Sequence, residues 1–159
     1  MPFSRPLKEI ERLIESGVIK EEVIVQAGVT QFHSTHMDIH AFFDKDEFER
    51  LYRNASLIIT HAGVGSIILG LKYKKKVISI ARLLKYNEHI DNHQLEILNE
   101  FSLRKYLLAW EEGGDLEILL NRLNAFTPMP YPFSEDRILE RIIDFIDGDG
   151  SLKFAPKIN

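Results

Sequence analysis

The sequence contains no cysteine among its 159 residues, which excludes a disulfide framework and any cysteine-based metal or nucleophile chemistry. No apolar run reaches the roughly 18 to 20 residues of a membrane span, and the start MPFSRPLKEI does not resemble a signal peptide. A strong excess of one charge is also missing, because the formal net charge is only −4. Nucleic acid is therefore a poor candidate ligand, and small molecules and protein partners remain.

The composition is typical of a folded globular protein. Hydrophobic residues make up 45% of the chain and charged residues 28%, with no low-complexity tract. The length suits a single hydrophobic core. We therefore predict one domain over residues 1–147 and a C-terminal tail over residues 148–159.

Segments with helical periodicity alternate with short segments rich in β-branched residues. The first helix is predicted from Ser4 as its N-cap, with Pro6 in the first turn and Gly17 at its end. The elements that follow are the buried strand EEVIVQAG, a loop from Val29 to Phe43 with a short strand near Met37 to Ala41, the helix DKDEFERLYRNA capped by Asp44, the strand SLIIT, the helix IILGLKYK, the strand VISIA, the helix HIDNHQLEILNEF, the strand YLLAW, the helix DLEILLNRLNAF and the closing helix EDRILERIIDFI capped by Ser134. This order predicts an α/β, Rossmann-like parallel sheet with helices on both faces.

The segment ITHAGVGS lies where the strand SLIIT ends and a helix follows. Ligands of parallel sheets bind at the carboxyl ends of the strands. Gly63 and Gly65 allow a sharp turn and a close approach of the backbone to a ligand, and the helix that starts at Gly65 and Ser66 offers free N–H groups. His61 and Ser66 add side-chain donors. The pattern favours a phosphate or diphosphate, although an ordinary strand-to-helix turn remains the alternative, and it matches neither the dinucleotide fingerprint nor a P-loop.

A second polar cluster, YNEHIDNHQ, follows the strand VISIA. Asn87, Glu88, His93 and Gln94 all exchange hydrogen bonds readily with hydroxyl groups, as a sugar ligand requires. The alternative is an ordinary polar helix start. Because both clusters follow successive strands of the predicted sheet, together they favour a nucleotide-sugar site.

The paired segments ITHAGVGS and NEHIDNHQ resemble the donor-binding domain of the GT-B glycosyltransferases of family 28. The likeness is greatest to small split subunits, namely the PssE/EpsF-type exopolysaccharide proteins and the catalytic subunit of the dolichol-linked UDP-GlcNAc transferase. The resemblance implies half of a GT-B fold that binds a UDP-sugar and transfers its hexose, with inversion, to a polyprenyl-diphosphate-linked acceptor. It also implies a heteromer with a membrane-associated partner, which supplies the acceptor-binding half in exopolysaccharide or capsule synthesis. The chain would then be cytoplasmic and peripheral at the inner face of the membrane.

The resemblance assigns roles to the residues of the turn. His61 is the catalytic residue, and Gly63, Gly65 and Ser66 form the diphosphate-binding turn. The family's transfer needs no metal or other cofactor, because the helix dipole and the His and Ser donors replace the metal at the diphosphate.

The resemblance also assigns the substrate-binding residues outside the turn. Gln94, with His93 before it, contacts hydroxyls of the donor sugar, and Asn87 and Glu88 belong to the same motif. Phe43, in FFDKDEF, lies against the uracil, although a core phenylalanine is an equal alternative for that position.

The sequence departs from the family pattern in two places. Many relatives carry a Glu on the helix after the glycine turn to hold the ribose hydroxyls, whereas this chain has Leu69. The family's domain also opens with a strand and a TVGT-like turn, and this sequence enters at the PF that follows them, so we expect the usual first strand to be lacking from the chain as given. Both departures favour an alternative function, a non-catalytic companion that stabilises or stimulates the partner.

Two further patterns carry competing interpretations. HSTHMDIH brings His33, His36 and His40 close together, but no carboxylate at a ligand spacing accompanies them, and a metal site is not predicted. The lysines of KYKKK lie at a helix end, where cations complement the helix dipole. Contact with anionic lipid headgroups or an acidic partner is the alternative.

Overall fold

The computed structural model describes residues 1–133, and the predicted closing helix with its Ser134 cap and the predicted tail lie outside these residues. The domain boundary at residue 147 therefore stays a prediction. The described elements are, in order, α1 (Arg5–Glu15), β1 (Ile24–Gln26), β2 (Asp38–His40), α2 (Lys45–Asn54), β3 (Leu57–His61), α3 (Val64–Lys72), β4 (Lys76–Ile80), a short 3₁₀ helix (Leu84–Tyr86), α4 (His93–Leu103), β5 (Leu108–Ala109) and α5 (Leu116–Arg122).

All the described strand pairs are parallel, and helices cover both faces of the larger sheet. That sheet has the order β3-β4-β5, and β1 and β2 form a separate pair. On β4, Ile78 packs in a cluster with residues of α1 and α5. Its neighbour Val77 packs in a second cluster with residues of α2, α3 and α4, as the alternation of side chains along a strand requires. The α/β, Rossmann-like fold class is confirmed.

The prediction that EEVIVQAG is a buried strand is wrong in part. The strand forms as β1, but Ile24 is 40% exposed and only Val25, at its centre, packs against the core. Within the described residues β1 pairs with β2 alone, so its other edge is unpaired. Side chains alternate along the strand, so Val23 and Val25 pack against the core while Ile24 points away from it. The short strand predicted near Met37 to Ala41 is confirmed as β2.

The predicted helix starts are confirmed where an acidic cap exists. Asp44 accepts a hydrogen bond from the Glu47 N–H at 2.9 Å and caps α2. Ser4 is the N-cap of α1, as predicted, although its backbone is already helical and its side chain makes no capping bond. The helix predicted from His89 begins only at His93, because the Asp91 carboxylate accepts the His93 N–H and holds residues 89–92 in bends.

Three lysines of KYKKK lie at the C-terminal ends of helices. Lys72 lies in the last turn of α3. Lys75 donates to the Arg53 carbonyl at 2.6 Å, at the end of α2, and Lys76 donates to the Leu123 carbonyl at the end of α5. Three of the four lysines are therefore placed where cations offset carbonyl dipoles, as expected.

The histidines of HSTHMDIH make separate polar contacts. His40 pairs with Asp38 at 2.9 Å, and His36 approaches Glu15 at 3.9 Å. Across residues 1–133, no group of three His, Asp or Glu side chains converges to hold a metal ion. No helix in the same range combines the length and apolar character needed to cross a membrane.

Candidate functional site

The β3–α3 turn is shorter than predicted. β3 ends at His61, and α3 already begins at Val64 with Gly63 as its N-cap, so Gly65 and Ser66 lie inside the first helical turn. The first helical bond of α3 runs from the Ile67 N–H to the Gly63 carbonyl. The three N–H groups before it, those of Val64, Gly65 and Ser66, meet no acceptor among the described residues. Free N–H groups at the positive end of a helix favour an anion.

The imidazole of His61 lies directly over Gly63. A Cβ atom added at Gly63 would lie 2.8 Å from His61 Nδ1 and closer still to Cε1. The backbone of Gly63 is extended, with φ −86° and ψ 126°, a conformation that every residue adopts. Gly63 is therefore needed because it leaves room for the ring, and not for the sharp turn that the sequence suggested.

Gln94 fixes the protonation of His61. Its carbonyl Oε1 accepts a hydrogen bond from the Arg82 N–H at 3.1 Å, so the other end of the amide, Nε2, must face His61. Gln94 Nε2 lies 3.4 Å from His61 Nδ1, which can only accept from it. The proton of the neutral imidazole is then on Nε2, which is left to donate to a ligand.

Burial lowers the pKa of His61 to about 4, and the nearby positive charge of Arg82 acts in the same direction. The ring is accordingly neutral at pH 7. A neutral ring with a single N–H is the form that the contact with Gln94 requires. His61 therefore contributes a fixed hydrogen-bond donor beside the free N–H groups of α3.

The depressed pKa of His61 predicts that folding weakens in acid. Unfolded, the ring has its ordinary value of 6.5, so below that pH the unfolded chain binds a proton that the folded chain does not. Stability should fall as the pH drops from about 6.5 to 4, by at most about 3 kcal/mol, and should be unaffected by His61 above this range. Urea unfolding of the wild type and of His61→Gln at pH 4.5 and 7.5 measures this. Equal pH dependence in the two proteins would contradict it.

Glu88, predicted to bind substrate, makes a structural contact, and its substrate-binding role stays a prediction. The side chain is 5% exposed. It accepts two bonds from the Arg5 guanidinium, at 3.2 and 2.9 Å, and a third from the Leu83 N–H at 3.1 Å. Arg5 also donates to the Ala81 carbonyl at 3.0 Å. The pair therefore ties the start of α1 to the segment after β4.

Glu88→Gln should lower the free energy of unfolding by about 2 kcal/mol, because the neutral amide can no longer accept all three bonds and leaves the Arg5 charge unpaired. Urea denaturation followed by circular dichroism measures the loss. Glu100→Gln is the matched control, since it removes an exposed carboxylate that pairs with Arg104 and should change stability by less than about 0.5 kcal/mol. A Glu88→Gln protein as stable as this control would refute the structural role.

The remaining predicted residues of the second motif, Asn87 and His93, are exposed. Asn87 takes the left-handed conformation, with φ 54°, and is exposed at the end of the 3₁₀ helix. His93 is exposed and pairs with Glu96 at 3.0 Å on the surface of α4. Their sugar-binding roles stay predictions.

Phe43 lies beside the two-stranded sheet, and Leu69 lies on α3 against the hydrophobic core. Phe43 contacts the two-stranded sheet, where its ring lies 4.6 Å from that of His40, and it belongs to neither described hydrophobic cluster. Its placement against uracil stays a prediction. Leu69 packs against the core cluster of α2, α3 and α4, so no carboxylate for a ribose occupies that position of α3.

Two residues near the turn were missed in the sequence. The buried Tyr52 hydroxyl contacts the hydroxyls of Ser66 and Thr60, and burial raises its pKa. Ser66 therefore presents its backbone N–H, more than its hydroxyl, to a ligand. Arg82 lies at the carboxyl end of β4 beside His61. A cation directly after a predicted strand was the signal for Arg82, whereas Tyr52 gave no signal beyond its place on the apolar face of a helix.

The parallel strands and the two helical layers define a Rossmann-like α/β domain, with a candidate anion site at the carboxyl edge of its sheet. The family model described as "Glycosyltransferase family 28 C-terminal domain" matches residues 3–146, and the chain belongs to this family.

Three fungal proteins, each named "UDP-N-acetylglucosamine transferase subunit ALG13", are similar to the chain. The Yarrowia lipolytica protein is 28% identical over 149 residues, covering 86% of this chain and 71% of that protein. The Candida albicans protein is 36% identical over 83 residues, and the Kluyveromyces lactis protein 34% over 82 residues. These two alignments each cover 52% of this chain but only 27% and 39% of the relatives, so the chain spans well under two thirds of both.

Among solved structures, a solution NMR structure of ALG13 is similar to the chain. The sequence identity is 25% and the TM-score 0.43, and the match covers 65% of this chain and 50% of that one.

Proposed function

We propose that the chain is the donor-binding subunit of a two-component hexosyltransferase that uses UDP-N-acetylglucosamine. The observation that carries this proposal is the juxtaposition of three free N–H groups at the start of α3 with the His61 ring. Such an arrangement suits a diphosphate. Membership of the glycosyltransferase family and the printed names of the fungal relatives support the sugar nucleotide as the ligand.

In this mechanism the chain holds the donor and stabilises its leaving group. An acceptor hydroxyl attacks the anomeric carbon from the face opposite UDP, and the bond between that carbon and the β-phosphate oxygen breaks, so the configuration inverts. The electron pair goes to the β-phosphate, where the α3 N–H groups and His61 Nε2–H stabilise the added charge. The proton lost by the acceptor goes to a general base, which we assign to the partner.

The setting of the reaction is part of the proposal. The acceptor is a saccharide linked to a polyprenyl diphosphate, held by a membrane-associated subunit that completes the GT-B fold. That subunit would keep this chain at the cytoplasmic face of the membrane. The comparisons lend no support to the exopolysaccharide or capsule setting expected from the sequence, since the relatives reported above are UDP-N-acetylglucosamine transferase subunits.

Titration of the ¹⁵N-labelled chain with UDP, UDP-N-acetylglucosamine and uridine tests donor binding. The amide resonances of Val64, Gly65 and Ser66 should shift with the two diphosphates and stay in place with uridine, which has no anion. If these three resonances do not move with UDP at concentrations up to about 10 mM, ten times a weak Kd of about 1 mM, the chain is not the donor-binding subunit.

The second candidate is a non-catalytic companion of the transferase, favoured by the apolar Leu69 where a ribose-binding carboxylate is expected. A companion would raise the activity of its partner without binding the nucleotide. The same titration separates the two functions, because a companion leaves all three resonances of the α3 start unmoved.

A further inference from the structure

Arg82 lies next to the His61 turn, two residues beyond the end of the neighbouring strand β4. In the β3–β4 ladder His61 is opposite Ile80, and Arg82 follows Ile80 by two residues at the same edge of the sheet. Its backbone N–H donates to Gln94, the residue that also contacts His61. The two strand ends and the start of α4 therefore bring the Arg82 and His61 side chains to one place.

The charge of Arg82 is not neutralised by the described residues, in contrast to the charge of Arg5. Both guanidinium groups lie against the ring of Phe3, at 5.2 Å for Arg82 and 5.6 Å for Arg5. The Arg5 guanidinium donates hydrogen bonds to both carboxylate oxygens of Glu88. Within residues 1–133, Arg82 has no carboxylate within ion-pair distance, and its Nε is buried without a hydrogen-bond partner.

Partial burial of a cation without a charged partner is costly, because the buried Nε has lost its water and no opposite charge replaces it. Burial lowers the pKa of Arg82, with the more distant Glu88 opposing that effect. An anion at the start of α3 would supply the missing charge. The ring of Phe3 under the guanidinium limits its freedom, so less ordering is needed when the anion binds.

We propose that Arg82 binds the diphosphate of the sugar nucleotide, together with the free N–H groups of α3. This inference rests on the proposed function and adds a charged ligand for the anion. A cation at this position would add to the helix N–H groups in offsetting the charge that accumulates on the diphosphate during transfer.

Arg82→Gln tests the proposal through UDP affinity, measured by isothermal titration or by the α3 amide shifts. Loss of one charged contact should weaken UDP binding about 10- to 100-fold. Binding should also become less sensitive to salt, because one of the charges that salt screens is gone. Arg104→Gln is the matched control, since it removes the same charge from an exposed ion pair beyond the far end of α4. Its UDP affinity should equal that of the wild type.

Arg82→Lys separates loss of the charged contact from a folding defect, because it keeps the positive charge at this position. The lysine keeps the charge without the planar fork, so its UDP affinity should lie between those of the wild type and Arg82→Gln. Equal affinity of Arg82→Gln and the wild type for UDP would overturn the inference while the proposed function stands. A parallel titration uses a UDP-uronate, whose sugar carries a carboxylate. If Arg82→Gln weakened binding of the UDP-uronate but left UDP binding unchanged, the inference would also be overturned, because Arg82 would then bind the sugar carboxylate. Absence of UDP binding by the wild type would instead refute the proposed function.

Discussion

Replacing His61 by alanine is expected to reduce sugar transfer about 100- to 1,000-fold while the domain stays folded. The variant removes the Nε2–H that we propose donates to the diphosphate but leaves the three backbone N–H groups of α3 in place. Those groups still hold the diphosphate, so UDP affinity should fall much less than the rate of transfer. The rate should fall more than the affinity because the charge on the β-phosphate is greatest when the bond to the sugar breaks.

Transfer is measured with the chain co-purified with its partner and radiolabelled UDP-N-acetylglucosamine. His33→Ala is the matched control, because it removes an exposed imidazole from the loop between β1 and β2. His61→Gln adds a second comparison, since it retains an N–H donor of different reach and should keep part of the rate. Unchanged transfer in His61→Ala would exclude His61 from the chemistry.

The order of helices and strands could be predicted from the sequence because it depends on local patterns. Apolar residues at helical spacing indicated α1, and Asp44 before a polar helix indicated its cap. The short apolar segment SLIIT, followed by glycines, indicated the position of the turn at His61. These signals lie within a few residues of one another, so no knowledge of distant contacts was needed.

The contacts inside the site could not be predicted, because they join residues far apart in the chain. Gln94 meets His61 across 33 positions, and Glu88 meets Arg5 across 83. In the sequence, Glu88 and Gln94 look alike, since both are polar residues of one short motif. Only the packing shows that Glu88 is enclosed by Arg5 whereas Gln94 reaches the His61 ring.

Together, these contacts hold the imidazole of His61 in one orientation. The Arg82 backbone orients the amide of Gln94, and that amide orients His61 from one side. Gly63 leaves the space that the ring occupies on the other side. The donor at His61 is therefore held by the sheet edge before any ligand arrives, which reduces the reorganisation that transfer requires.

Gly63→Ala should consequently reduce transfer about 100-fold, nearly as much as removing the imidazole. The new methyl group would lie 2.8 Å from His61 Nδ1, so the ring must rotate away and lose Gln94. The backbone of Gly63 accepts alanine without strain, and the weaker N-cap costs only about 1 kcal/mol of stability. The fold should survive, and circular dichroism with thermal unfolding checks this.

A double-mutant cycle isolates the steric cause. In the His61→Ala background the ring is absent and the methyl group has nothing to displace, so Gly63→Ala should lower the remaining transfer by less than about threefold. The two changes are then strongly non-additive, as expected for residues that act through one contact. Additive losses would mean that Gly63 acts on the ligand directly, through the close backbone approach that the sequence first suggested, and that its fit to the imidazole is incidental.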